Sequence, residues 1–288
     1  AKVIPVRRRG FVSGWRNFLS GGATAILAYF AGGYFIDHNV LGDGYVALFL
    51  LAFLIASLGI GALAFTKEPR AVSRRKRENV VQSFGSLPRL LRDNPAFARF
   101  FVVGALGSFG RMAMPFYILF AGSQMDISGA MLGVLTTIWM LSGTATNDLW
   151  GCIADRSGYR LVLIVTLSIW TFSHVQLLLV EGILGVLVFF VLFATASSGF
   201  NQARQNIVLE LGADEDIPLR VAVSNMANNM VAGVGPLLGG VIGLAFGYEV
   251  IFIVCIFFQV VALAIMVGFV PEPRRSSIVL TTDEDEAA

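Results

Sequence analysis

Few residues of this chain could do chemistry, and most of them are set in long apolar sequence. Arg111 stands in the stretch G-S-F-G-R-M-A-M-P-F-Y, residues 107–117. A cation inside an apolar span is costly and marks a site by default, and a guanidinium offers donors that match an anionic oxygen pair. Gly107, Gly110 and Pro115 loosen the backbone on either side of it. The other reading is an arginine whose head snorkels to the membrane surface or bonds to backbone carbonyls. Amides form a second group. Ser198, Asn201, Gln202 and Gln205 recur at spacings of three and four and share one helical face; Asn225, Asn228 and Asn229 do the same further on. Amides in a helical bundle also tie helices together for about 1 kcal/mol or less. Asn228 and Gln205 fit that structural role, while Asn201, Gln202, Asn225 and Asn229 join Arg111 as the expected lining of a polar cavity.

A third group runs from Asn147 to Arg160 as N-D-L-W-G-C-I-A-D-R-S-G-Y-R. Within it Gly151, Asp155, Arg156, Gly158 and Arg160 fall in the spacing G-x-x-x-D-R-x-G-x-R. Gly151 leaves room for a close helix approach, and Gly158 permits a tight reversal. Asp155 can accept from the N–H groups of a neighbouring helix N-terminus. Arg156 and Arg160 are the positive charges of a turn between two spans, and Asp148 is expected in a charge network with Arg156, Arg160 or Arg204. Gly235, Gly239 and Gly243, beside Pro236, make a small-xxx-small stripe that reads as close helix packing. The aromatics Phe116, Tyr117 and Trp139 read as packing residues.

Several chemistries are disfavoured. There is no glycine-rich phosphate loop, no H-E-x-x-H and no grouped serine, histidine and acid. Cys152 and Cys255 lack motif spacing, and His38 and His174 are isolated, so neither a metal nor another cofactor is expected. A membrane-embedded enzyme would need acids or histidines clustered at one depth. No Asp or Glu falls at mid-depth in any apolar run, so a carboxylate for proton coupling is not evident here. Nothing points to a nucleic-acid partner.

The elements that must position these groups follow from composition. Hydrophobic residues are 56% of the chain and charged ones 14%, with a mean hydropathy of +0.74. Soluble domains carry nearer a quarter charged residues. Apolar runs at 13–36, 44–66, 98–121, 129–151, 161–180, 182–204, 221–246 and 249–270 are each about long enough to cross a hydrocarbon core of roughly 30 Å. They are too long and too evenly apolar for barrel strands, and in lipid the remaining choice is the helix. The expectation is an all-α, polytopic integral membrane protein with eight transmembrane helices, embedded in a lipid bilayer.

Lys and Arg fall on alternate connections. Arg7-Arg8-Arg9, Lys67 to Arg99, Asp155 to Arg160, Arg204 to Arg220 and Arg274-Arg275 lie on one side. Asp37 to Asp43, Gly122 to Ser128, Glu181-Gly182 and Gly247 to Glu249 contain neither residue. By the positive-inside rule the first set, and both termini, are cytoplasmic, in a plasma or inner membrane. Residues 67–97, with Arg74-Arg75-Lys76-Arg77, form a basic linker that splits the spans two and six. The tail 271–288 ends in Asp283-Glu284-Asp285-Glu286 and reads as disordered.

The G-x-x-x-D-R-x-G-x-R spacing, with the two-then-six arrangement, resembles the major facilitator superfamily. That resemblance implies a twelve-helix fold of two six-helix halves. On this reading 1–66 holds the last two helices of the first half, 98–270 the whole second half, and the four preceding helices are missing partners of the same protein. The chain opens at Ala1-Lys2 without an initiator Met, as if taken from within a longer one. Val12, Ser13, Asn17, Gly22 and Gly32 echo Val223, Ser224, Asn228, Gly233 and Gly243 at a constant offset of 211 residues (223 − 12), as related halves would. The resemblance further implies secondary active transport of a small solute by alternating access, proton-coupled or by efflux. Asp155 and Arg156 would gate the cytoplasmic side. A non-transporting sensor or scaffold on the same fold is the alternative, and a membrane-embedded enzyme a remoter one. The fragment alone should not transport.

Overall fold

The computed structural model describes residues 19–24, 26–27, 29–38, 40, 43–63, 65, 87–211 and 217–270. Arg7 to Arg9, the cluster Arg74 to Arg77, the repeat positions Val12, Ser13 and Asn17, and the acidic tail lie outside them. Among the described residues all regular structure is helical. In chain order the helices are α1 (Leu19–Ile36, whose last turn Gly32–Ile36 is a π-helix), α2 (Gly44–Leu63), α3 (Leu87–Asp93), α4 (Pro95–Ser108), α5 (Phe116–Gln124), α6 (Gly129–Ser157), α7 (Tyr159–Leu179), α8 (Gly182–Glu210), α9 (Ile217–Phe246) and α10 (Tyr248–Phe269). A 3₁₀ segment, Phe109–Ala113, joins α4 to α5, and these three form one span, Pro95–Gln124. Among the described residues eight stretches are long and apolar enough to cross a membrane, matching the eight expected spans. The chain is an all-α, multi-pass membrane protein.

Helix boundaries differ from the hydropathy reading wherever polar residues belong to helices. The third span starts at Pro95 because Asn94 caps it: its Oδ1 accepts from Phe97 N at 3.0 Å, and Pro95 occupies the first turn, where its missing N–H costs nothing. Within the stretch 67–97, residues 87–93 form α3. The stretch around Asp155 is not a loop. α6 continues through Ser157 and α7 begins at Tyr159, so the reversal rests on Gly158 alone, at φ 83° and ψ 161°. That backbone region is essentially restricted to glycine. Likewise the connection expected at Arg204 to Arg220 is helical to Glu210 and again from Ile217.

The chain divides into two compact units. One holds α1, α2 and residues Asp126–Thr144. Here the Asp37 carboxylate accepts from Gly129 N at 2.6 Å and from Ala130 N at 3.0 Å, capping the start of α6; Ser128 Oγ accepts from Met131 N at 3.2 Å. A carboxylate at a helix N-terminus satisfies orphan N–H groups and complements the dipole. Gly21 lies against Thr144 and Gly33 against Ala130, so α1 runs antiparallel to this part of α6. Most of α2 is exposed and apolar, Phe49 being 76% exposed, as a helix facing lipid would be.

The second unit contains residues 87–125 and the described residues from Ala145 onward. α7 packs along α8, α10 along α7 and α4, and α9 against the 3₁₀ segment. Its core is aromatic, built from Tyr117, Trp170, Phe189, Phe193, Phe200 and Phe252. Gly235 and Gly239 are where α9 meets the 3₁₀ segment. A Cβ on Gly235 would sit 3.3 Å from Met112 Cα, and one on Gly239 2.7 Å from the Phe116 ring. Gly243 faces Ile251 of α10 in the same way, at 3.0 Å.

Candidate functional site

Why Arg111 lies where it does begins with the break in its helix. Pro115 has no N–H to give to the Arg111 carbonyl, and Met114 N donates to it instead, at 3.1 Å, in the tighter 3₁₀ pattern. Close packing explains the small residues beside it. A Cβ on Gly107 would lie 2.9 Å from the Phe200 ring, and one on Gly110 would collide with the Gln259 amide and the Trp170 ring. Arg111 sits near the middle of the span Pro95–Gln124.

The Arg111 side chain is half-buried and donates through Nη2 to Asn201 Oδ1 of α8. Two of the expected cavity residues are thus in direct contact. With Oδ1 engaged as an acceptor, the Asn201 amide contributes its nitrogen as a further donor beside the guanidinium.

One turn along α8 from Asn201 lies Arg204, expected in a charged connection but found inside the helix and only 4% exposed. Its Nη1 donates to the Ser224 carbonyl at 3.2 Å and to Ser224 Oγ at 3.1 Å; its Nη2 reaches Asn225 Oδ1 at 3.5 Å. Nε is buried with no acceptor. All these partners are neutral, so among the described residues the guanidinium is not paired with a carboxylate. Arg204, Gln205, Val208, Leu209, Val221, Ser224 and Asn225 line a half-open cavity of about 140 Å³ between α8 and α9.

The remaining candidates are dispersed. Gln202 points toward Gly151 of α6, its Nε2 being 3.6 Å from where a Cβ on that glycine would lie. Asn229 is exposed on α9. Asn228 is buried and accepts from Ser108 Oγ at 2.8 Å, tying α9 to α4. Ser198 Oγ donates to Asn147 Oδ1 at 2.6 Å, tying α8 to α6.

In the Asn147 to Arg160 group the geometry differs from the reading of its spacing at two places. Gly151 is not the tight point of helix packing, for a Cβ there meets only an ordinary contact. The tight point is Gly199 of α8, where a Cβ would lie 2.6 Å from Thr166 and 2.7 Å from Trp150. Arg160 joins no network with Asp148. Its Nε donates to the Val270 carbonyl at 2.5 Å and its Nη2 to the Val267 carbonyl at 2.9 Å, while Arg99 Nη1 donates to the Phe269 carbonyl at 2.9 Å. Two arginines thereby satisfy the orphan carbonyls at the C-terminus of α10 and complement its dipole. Asp148, Asp155 and Arg156 are exposed at the end of α6.

A buried polar chain supports the same break from the other side. Tyr117 Oη donates to the Gly110 carbonyl at 3.1 Å and lies 2.8 Å from His174 Nε2. His174 Nδ1 is 3.0 Å from Gln259 Oε1. This links α5, α7 and α10 through side chains that apolar periodicity does not single out.

Residues 100–286 match the Major Facilitator Superfamily. The chain belongs to this superfamily. The matched region takes in Arg111, its span from residue 100 onward and every helix after it, so the Arg111–Asn201 contact and the Arg204 cavity both lie within the superfamily region. Among curated proteins the chain is similar to the "Hexuronate transporter" of Bacillus subtilis (strain 168), with 20% identity over 184 residues. That alignment covers 64% of this chain and 44% of the relative, so the chain spans less than half the length of the protein it matches.

Proposed function

We propose that this chain forms part of a secondary transporter, and not an enzyme, which moves a small anionic solute across the membrane by alternating access. The observation that carries the reading is the Arg111–Asn201 contact. A mid-span guanidinium held by a neutral amide keeps its positive charge available and has donors arranged for a carboxylate. Membership of the superfamily and the similarity to a hexuronate transporter support a solute of that kind, since a hexuronate is a sugar that carries a carboxylate. The charged end of α6, with Asp155 and Arg156, would serve as the gate on the cytoplasmic side, where both termini would also lie. Transport would take place in the plasma or inner membrane.

Flux through the full-length protein in proteoliposomes tests this, using a hexuronate and its uncharged parent hexose, with and without a pH gradient. The reading predicts faster flux of the acid than of the hexose, with the gradient dependence reporting proton coupling. Equal flux of both, or none, contradicts it. Asp155→Asn is expected to slow the acid flux at unchanged protein level.

A further inference from the structure

We propose that the cavity around Arg204 is a second oxyanion-binding site, separate from the Arg111–Asn201 contact. Unlike the transport reading, it requires no solute to cross the membrane.

Arg204 is only 4% exposed, and its hydrogen-bond partners are the Ser224 carbonyl, Ser224 Oγ and Asn225 Oδ1, none of them charged. A buried charge without a counter-charge is among the costliest arrangements in a protein interior. Clamping α8 to α9 would not by itself require it, because a neutral amide could donate to the same oxygens. The Nε–H is buried and lacks an acceptor, leaving one donor of the guanidinium unmatched. The residue borders a cavity of about 140 Å³ whose other polar walls are Gln205, Ser224 and Asn225, all able to donate to an anion. Gly104 of α4 faces the Arg204 stem, where a Cβ would sit 3.7 Å from Cδ, so the arginine is packed in place along its length.

The donors lining the cavity set the ligand's charge, and its size sets how much of the ligand it holds. Water occupies about 30 Å³ in the liquid, and pockets for drug-sized ligands run to roughly 300–1,000 Å³. A half-open cavity of about 140 Å³ holds a small oxyanion group, a carboxylate or sulfonate with a few attached atoms, while the rest of a ligand extends from its open side. Placed there, it would supply the acceptor that Nε lacks and neutralise the guanidinium.

Thiol labelling tests the site without reference to flux. Asn225 lines the cavity and is exposed, so Asn225→Cys, with Cys152→Ser and Cys255→Ser, places one reactive thiol beside Arg204 in the full-length protein. The probe is a pair of methanethiosulfonates of similar size, one bearing a sulfonate and one a quaternary ammonium. Relative to their ratio on free cysteine, the sulfonate is expected to react faster by about tenfold, as a focused positive charge demands. Its rate should saturate with concentration. The preference should persist in Arg204→Lys and vanish in Arg204→Gln. A ratio equal to that of free cysteine, or a preference that survives Arg204→Gln, overturns the proposal. Should Arg204→Gln not fold, the ratio with Arg204 intact still decides. A sulfonate preference together with failed hexuronate flux would leave this site standing and remove the transport reading.

Discussion

At the scale of single residues the clearest contrast is between two glycines on facing helices. Gly199 has the Thr166 methyl and the Trp150 ring within 2.7 Å of where its Cβ would be, whereas Gly151 has only the Gln202 amide, at 3.6 Å. Gly199→Ala should therefore lower stability by about 1–3 kcal/mol through overpacking. Gly151→Ala should be neutral, or stabilising by up to about 1 kcal/mol, because alanine is the better helix former. Thermal unfolding in detergent reads both, and equal losses would contradict the packing described. The spacing G-x-x-x-D-R-x-G-x-R draws attention to the glycine that is not tight. Gly199 sits in the plain run A-S-S-G-F, and only the arrival of Trp150 and Thr166 from other helices makes it indispensable. Arg111 and Asn201 were legible as chemistry because a cation and an amide are conspicuous in apolar sequence. Arg204 was not, because an arginine at the edge of an apolar run reads as a topology signal until α9 is seen to cover it.

At the scale of elements, hydropathy and length sufficed to find the spans, since a membrane requires about twenty apolar residues wherever a helix crosses. Their ends were less legible. Helices extend past the apolar run when a cap such as Asn94 begins them earlier, or when one glycine can reverse the chain, as Gly158 does at φ 83°. The role of Arg160 also emerges only at this scale. Together with Arg99 it satisfies the terminal carbonyls of α10, which lie 106 to 170 residues away in sequence. Arg160→Ala should fray that end, with faster amide exchange over residues 266–270 and little change in α7. Arg160→Lys should restore part of the protection, having one charge but no fork. Unchanged exchange in Arg160→Ala would show that the carbonyls do not depend on the arginine.

At the scale of the molecule, the chain is a multi-pass helical member of the Major Facilitator Superfamily. Its second unit carries a run of polar residues, Arg111, Asn201, Arg204, Ser224 and Asn225, across two helices and a helix break. Outward-facing apolar residues such as Leu244, 93% exposed, fit the lipid contact expected of the outer surface. The polar run is what sets this unit apart from a simple apolar bundle. The central claim is that Arg111 selects the charge of the solute. The most direct measurement is the ratio of hexuronate to neutral hexose flux in proteoliposomes, for the full-length protein and for Arg111→Gln and Arg111→Lys, with folding checked by size exclusion. The account predicts a ratio that falls at least about tenfold in Arg111→Gln, the loss of one charge-assisted hydrogen bond, and is partly kept in Arg111→Lys. A ratio unchanged in Arg111→Gln would contradict it.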